Sequence, residues 1–287
     1  MLLEQGIEPG SLRTDPARML PGLGGRPALL GHVQHRHPQY GLEPLLAVAH
    51  RGGAAGAPEN TVAAFEQSRA VGFRYLETDV RATRDGVAVA FHDRTLRRVT
   101  GDRGRLADLR WEDVRRLRVA GSHPVPRLED LLDAWPDVRW MLDLKQPTAL
   151  GAMVRAVRGV GAAHRVCLTG TWDRWLDAAR GDLGPSVSTA LGWSSLGSLL
   201  AGRPVHRPAA GYVHLPVRIG RRWLPTPGLV ARSHSLGLRV MVWGAADTGT
   251  MHRLLDAGVD GLITDHTRLL REVLVGRGSW HGHASAA

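Results

Sequence analysis

At 287 residues, with 43% hydrophobic and 22% charged positions, the chain can bury a large core and is neither a disordered nor a membrane-spanning composition. Its single cysteine, Cys167, excludes an intramolecular disulfide and a cysteine-based metal cluster. The net charge is +10, and Leu183 to Ala246 holds no acidic residue while carrying Arg203, Arg207, Arg218, Arg221, Arg222, Arg232 and Arg239. Such a flank suits phosphate esters or an anionic lipid surface, and equally a solvated arginine-rich face. No nucleic-acid-binding motif accompanies it, so no specific nucleic-acid partner is expected. Of 37 lysines and arginines, a single one is lysine, Lys145.

Residues 1–44 are rich in Gly, Pro, Arg and His without sustained periodicity, which predicts a poorly ordered extension. The opening MLLEQGIEPGSLRTDP lacks the basic and apolar regions of a signal peptide, and the longest uncharged stretch, 183–202, is broken by Gly, Pro and Ser. A cytoplasmic, membrane-peripheral location is expected. From Leu45 onward, nine β-like runs alternate with helical patterns: 45–50, 74–80, 87–92, 138–145, 165–170, 186–191, 210–215, 238–244 and 260–264. Eight strands close a barrel, so one is surplus. The second and third runs are joined only by a turn at Asp85–Gly86, too short for a parallel crossover. Val80–Thr83 is therefore expected to rise above the barrel and fold back through Val87–Phe91. Helices are predicted over 60–72, 126–135, 148–160, 173–181, 194–202, 226–237, 247–257 and 266–274, with Asn60 or Thr61 as the first N-cap. Leu106, Leu109, Val114 and Leu117 predict short helices over one rim. The expected fold is α/β: a single (β/α)8 TIM barrel over 45–275, with a small β-ribbon and a short helical insert on the rim, then a flexible tail over 276–287.

In such a barrel the strands' C-terminal ends build the active site. The run LLAVA ends on His50 and Arg51, and VAVAF ends on His92. RYLETDV sets Glu77 and Asp79 at i and i+2, hence on one face, and LDLK does the same with Asp143 and Lys145. Three carboxylates from neighbouring strands suit a hard divalent cation, Mg2+ or Ca2+. Two histidines suit proton transfer to and from oxygen, and Arg51 with Lys145 suits neutralising a phosphate. Glu59 reads as a partner of Arg51 in preference to a helix-dipole charge. Trp243 fits a core position and a substrate-pocket wall equally. Asp265 reads as the cap of the last helix and His214 as a structural histidine. The loop VRIGRRW, Val217–Trp223, is the candidate for headgroup or membrane contact.

Taken in order, HRG, PENT, E-x-D-V with a following T-x-D-G, and HD resemble the glycerophosphodiester phosphodiesterase family. Fainter matches at LDLK, VMVW and GVDGLITD extend the resemblance from about Leu45 to Leu274. The resemblance implies metal-dependent hydrolysis of glycerophosphodiesters to an alcohol and sn-glycerol 3-phosphate, with His50 and His92 as the acid–base pair. It further implies attack by a neighbouring substrate hydroxyl through a cyclic phosphate; which histidine is base stays open. Two departures mark this chain: Asp143 stands where the family often has Glu, a shorter side chain that resembles the arrangement in the related sphingomyelinases D, and GAADT follows Trp243 in place of a Thr–Asn element. A phospholipase D-like cleavage of lysophospholipids and a silent anionic-lipid or phosphate-binding barrel are the rival readings.

Overall fold

A computed structural model describes residues 40, 43–205 and 210–281. Eight parallel strands form the central sheet: β1 (Leu46–Ala49), β2 (Tyr75–Ala82), β3 (Arg139–Leu144), β4 (Val166–Gly170), β5 (Ser188–Thr189), β6 (Tyr212–Pro216), β7 (Arg239–Trp243) and β8 (Gly261–Thr264). Their spatial order is β5-β4-β3-β2-β1-β8-β7-β6. A single parallel bridge, Ala190 to Tyr212, spans the remaining gap between β5 and β6 and nearly closes the barrel. β5 holds two residues where the apolar pattern predicts six, because only Ser188 and Thr189 find ladder partners, on β4.

Each strand feeds a helix: α1 (Val62–Val71), α2 (Leu128–Ala134), α3 (Ala149–Gly159), α4 (Asp173–Leu183), α5 (Trp193–Leu200), α6 (Pro227–Ser235), α7 (Thr248–Asp256) and α8 (Thr267–Gly276). The strand residues that face these helices, such as Leu76, Leu142, Val213 and Val242, are fully buried with them in one large apolar layer. Burying a leucine or valine side chain in this way stabilises by about 1.5–3 kcal/mol.

The opposite strand face fills the barrel itself. Leu46, Val48, Tyr75, Met141, Tyr212 and Met241 belong to a second apolar cluster there. Tyr40 closes its floor edge-on to Tyr75 and Tyr212, with ring centroids 5.5 and 5.6 Å away, and its carbonyl accepts from the Tyr212 hydroxyl at 2.6 Å. Gly261 has no space for a side chain: a Cβ would lie 2.6 Å from the Leu46 carbonyl oxygen and 2.5 Å from Met241 Cε. Of the stretch 1–44, only Tyr40, Glu43 and Pro44 are described, and all three touch the barrel: Tyr75 donates to Glu43, and Arg239 to the Glu43 and Pro44 carbonyls. Within the C-terminal stretch, Trp280 packs edge-on against Phe73.

The ninth run is the return strand Ala88–Ala90, antiparallel to the upper end of β2 through Val80–Ala90 and Ala82–Ala88 pairs. It leads into the rim insert, whose short helices Arg97–Thr100 and Trp111–Val114 enclose a satellite core of Val89, Phe91, Leu96, Leu106, Val114, Val119 and Val125. That satellite core fixes the loop carrying His92.

Candidate active site

The inward register of each strand runs from apolar residues at the floor to charged ones at the mouth. Leu46 and Val48 lead to His50, Tyr75 leads to Glu77 and Asp79, Met141 leads to Asp143 and Lys145, Met241 leads to Trp243, and Ile263 leads to Asp265. Alternation of side chains along a strand delivers all of these to one end of the barrel interior.

Three carboxylates converge: one oxygen each from Glu77, Asp79 and Asp143 lies within 4.8 Å of the others. Glu77 and Asp79 are buried. Burial, together with the charge of Asp79, pushes Glu77 up to about 7. Burial acts on Asp79 in the same sense, but Lys145 and Arg51 outweigh it and hold Asp79 below the usual carboxylate range. Lys145 Nζ lies 2.9 Å from Asp79 and 2.5 Å from Asp143, and Arg51 Nε lies 3.1 Å from Asp79. All-oxygen donors, two of the three buried and together carrying excess negative charge, fit a hard divalent cation.

The loop after β1 is tightly wound. Arg51 adopts φ 49° and is followed by Gly52 and Gly53, each at φ 85°. This turn aims the Arg51 backbone N–H at Glu77 Oε2, 2.8 Å away, while Nη1 donates to Glu59 at 2.9 Å. Asn60 is the other left-handed residue of this loop, at φ 56°. Its side chain donates to Asp79 at 2.8 Å and accepts from the Thr78 hydroxyl at 2.8 Å. Non-glycine residues held at positive φ cost stability and cluster where geometry is functional. The cap of α1 is Thr61, which accepts from Ala64 N–H. Asn60 is thus a site residue that its sequence position disguised as a cap.

Each histidine engages an aspartate through Nδ1. His50 pairs with Asp265 at 2.8 Å and His92 with Asp93 at 2.6 Å. Burial alone would lower the His50 pKa, but the Asp265 hydrogen bond and the Glu77 charge outweigh it and raise it. The expectation that Asp265 caps the last helix is corrected here: α8 starts after His266, and the Asp265 carboxylate turns inward to His50. The two residues are 215 apart in sequence, so local pattern carried no trace of the pairing.

Arg98 joins the two histidine loops. It donates to Glu59 at 2.6 and 2.7 Å and to Asp93 at 2.6 and 3.0 Å. Its hydrogen bonds hold Asp93 at about 2. Arg81 adds a second tie, donating to the His92 carbonyl at 2.6 Å. A chain of contacts therefore runs Arg51–Glu59–Arg98–Asp93–His92. An Arg five residues past HD gives no signal of its own when read singly.

Trp243 stands 46% exposed at the end of β7, on the mouth and not in the core. His214 lies on the inward register of β6 with its Nε2 lacking a hydrogen-bond partner among the described residues, and burial pushes its pKa down to about 4. A shallow cleft lined in part by Glu43, Phe73, Tyr75 and Trp280 lies at the floor end of the barrel, away from the histidines and carboxylates of the mouth.

The family model described as the Glycerophosphoryl diester phosphodiesterase family matches residues 50–269. A curated relative from Mycobacterium tuberculosis, "Probable glycerophosphodiester phosphodiesterase 2", is 39% identical over 246 residues, covering 83% of this chain and 93% of its own. The crystal structure of glycerophosphodiester phosphodiesterase from Agrobacterium tumefaciens superposes with a TM-score of 0.67 at 24% identity, covering 79% of this chain and 99% of that one. An Oleispira antarctica phosphodiesterase, solved with its product sn-glycerol-3-phosphate, gives 0.67 at 18% identity over 80% and 96%.

Proposed function

Because the chain belongs to the glycerophosphoryl diester phosphodiesterase family, we propose that it hydrolyses glycerophosphodiesters to an alcohol and sn-glycerol 3-phosphate, the barrel over 45–275 being the catalytic unit. One observation carries this reading: two histidine–aspartate pairs flank a carboxylate trio, two of its members buried and one half-buried, that has arginine and lysine beside it. Nδ1 of each imidazole is engaged by its aspartate, which fixes the tautomer and leaves Nε2 for the reacting oxygens. His50 Nε2 lies 4.0 Å from Glu77, and His92 is close enough for its charge to act on Asp79. One histidine takes the proton of the attacking hydroxyl and the other returns a proton to the leaving alcohol oxygen. Attack by the substrate's own neighbouring hydroxyl gives a cyclic phosphate, which water then opens with the proton roles reversed. Arg51 and Lys145 face the negative charge that grows on the phosphate.

Glu77, Asp79 and Asp143 would hold Mg2+ or Ca2+, which when bound polarises a phosphoryl oxygen. Lys145, whose ammonium lies against Asp79 and Asp143, would pair with the phosphate bound beside such a cation. Trp243 stands as a wall for the substrate's alcohol group. Peripheral contact with an anionic cytoplasmic membrane leaflet is part of the proposal; the acid-free, arginine-bearing stretch from Leu183 to Ala246 supports it. Among the described residues no helix is long and apolar enough to cross a membrane.

The test is turnover of glycerophosphocholine and of lysophosphatidylcholine with Mg2+, with Ca2+ and with chelator, beside His50→Ala. Metal-dependent release of sn-glycerol 3-phosphate that disappears in the variant is expected. Turnover surviving His50→Ala overturns the acid–base assignment, and preference for the acylated substrate moves the enzyme to the lysophospholipid class.

A further inference from the structure

The exposed large hydrophobic residues are not spread evenly. Three of the nine tryptophans are exposed, Trp172 at 47%, Trp193 at 69% and Trp243 at 46%, and they lie after β4, after β5 and at the end of β7 on the catalytic rim. Ile219, 53% exposed, sits between them after β6, on a two-stranded hairpin that pairs Arg218–Ile219 with Arg222–Trp223. The other four among the described residues are single aliphatic residues: Val62 at the start of α1, and Leu200, Leu236 and Val275 at helix C-terminal ends. The other half of the rim, after β1 and β2, is instead laced with Arg–carboxylate pairs around Glu59, Asp93, Arg98 and Glu112.

We propose that the rim after β4, β5 and β6, led by Trp172, Trp193 and Ile219, is an insertion face that seats the barrel mouth on an anionic phospholipid bilayer. This gives a face to the peripheral contact proposed above and rests on that reading. Exposed indole rings with an apolar body and a polar N–H favour the headgroup level of a bilayer, and a lone isoleucine at a hairpin tip favours the acyl boundary. Patches of this kind on a soluble barrel mark interaction surfaces.

Charge complements the apolar residues. Arg174 stacks over Trp172 at 5.3 Å, and Arg218, Arg221 and Arg222 are exposed around Ile219. The acidic groups on these elements are otherwise engaged or set back: Asp173 is buried under the face, Asp177 lies one turn along α4, and Asp247 caps α7 by accepting from Thr250.

The face is also preorganised. The Asp173 carboxylate accepts from Gly192 N–H at 2.9 Å and Ser195 N–H at 3.1 Å, and Trp193 N–H donates to the Thr171 carbonyl at 2.9 Å. These bonds tie together the backbones of the adjoining loops that carry Trp172 and Trp193. The hairpin is anchored through Trp223, which lies under Arg253 at 4.1 Å. Loops held in this way lose little backbone freedom on docking, so less of the apolar burial is spent on ordering them.

The experiment is sedimentation of the full chain with phosphatidylcholine vesicles, with and without phosphatidylglycerol, in low and high salt. A Trp193→Ala/Ile219→Ser variant and an Arg218→Gln/Arg221→Gln/Arg222→Gln variant run beside the wild type. Wild type is expected to bind phosphatidylglycerol vesicles with a blue-shifted tryptophan emission, and to keep residual binding at high salt. The Trp193/Ile219 variant is expected to bind at least about 10-fold more weakly, to lose the high-salt residue, and to turn over soluble glycerophosphocholine as wild type does, which also certifies its fold. Equal vesicle binding by that variant, with loss only in the arginine variant, overturns the insertion face while leaving an electrostatic contact. No wild-type binding to either vesicle overturns both. A blue shift with monomeric lysophosphatidylcholine and none with vesicles assigns the residues to a substrate acyl chain and overturns the proposal.

Discussion

The two ends of the barrel interior are built by the same strands in the same register, yet they do opposite things. At the floor, Tyr40, Tyr75, Met141, Tyr212 and Met241 exclude water and interlock. At the mouth, two to four residues further along the same strands, Glu77, Asp79, Asp143 and Lys145 crowd like and unlike charges into a buried volume. The floor stabilises the barrel and needs no particular chemistry. The mouth strains it, as Glu77 at about 7 records, and keeps its form because the floor and the rim insert hold it.

Substitutions at the two ends should therefore separate activity from stability. The largest effect is expected for His92→Ala, which should lower kcat roughly 10³-fold, in the range of lost acid–base catalysis. Its thermal unfolding should stay near wild type, because the His92 side chain is one-third exposed, at 33%. Met241→Ala at the floor should behave inversely. It opens a cavity beside Gly261 and should cost about 2–5 kcal/mol in urea unfolding, with kcat per folded molecule close to wild type. Comparable loss of activity in both variants would erase the distinction between the ends.

Arg98 sharpens the comparison at the rim. Arg98→Ala frees Glu59 from Asp93 and should lower kcat roughly 10-fold through misplacement of His92, with KM little changed. Arg98→Lys should recover little of it, because an ammonium cannot bridge two carboxylates in the bidentate geometry seen here.

pH effects are smaller. Glu77 holds its proton more tightly in the folded chain, at about 7, than an ordinary glutamate does at 4.5. The folded state thus binds the extra proton between these values, and Glu77 removes stability as pH rises through that window. A cation competes with the same proton, so apparent Mg2+ or Ca2+ affinity measured by calorimetry should rise as pH increases through about 7. Smallest is Asp265→Asn. Asp265 favours the protonated His50, so its loss should move the His50 limb of the pH–rate profile to lower pH. A shift of the acidic limb identifies His50 as base, and a shift of the alkaline limb identifies it as acid.

Much of this was legible in the chain. Same-face spacing paired Glu77 with Asp79 and Asp143 with Lys145, and the short turn at Asp85–Gly86 forced the antiparallel return that the Val80–Ala90 pairing displays. Thr61 rather than Asn60 caps α1 because both side chains suit a cap, and only the buried Asp79 carboxylate decides which is drawn away.

Strand periodicity and turn chemistry are local properties, each decided by a few neighbouring residues, so the sequence by itself determined the barrel, its surplus ribbon and the inward row of charges. Closure of the barrel brings β8 against β1 and folds the rim insert over the first loop. Those long-range contacts alone decided that Asp265 serves His50, that Arg98 spans Glu59 and Asp93, and that the exposed tryptophans gather on one half of the mouth. A carboxylate or an indole has no partner written into its own segment; its partner is whatever the packing of distant segments places within a few ångströms.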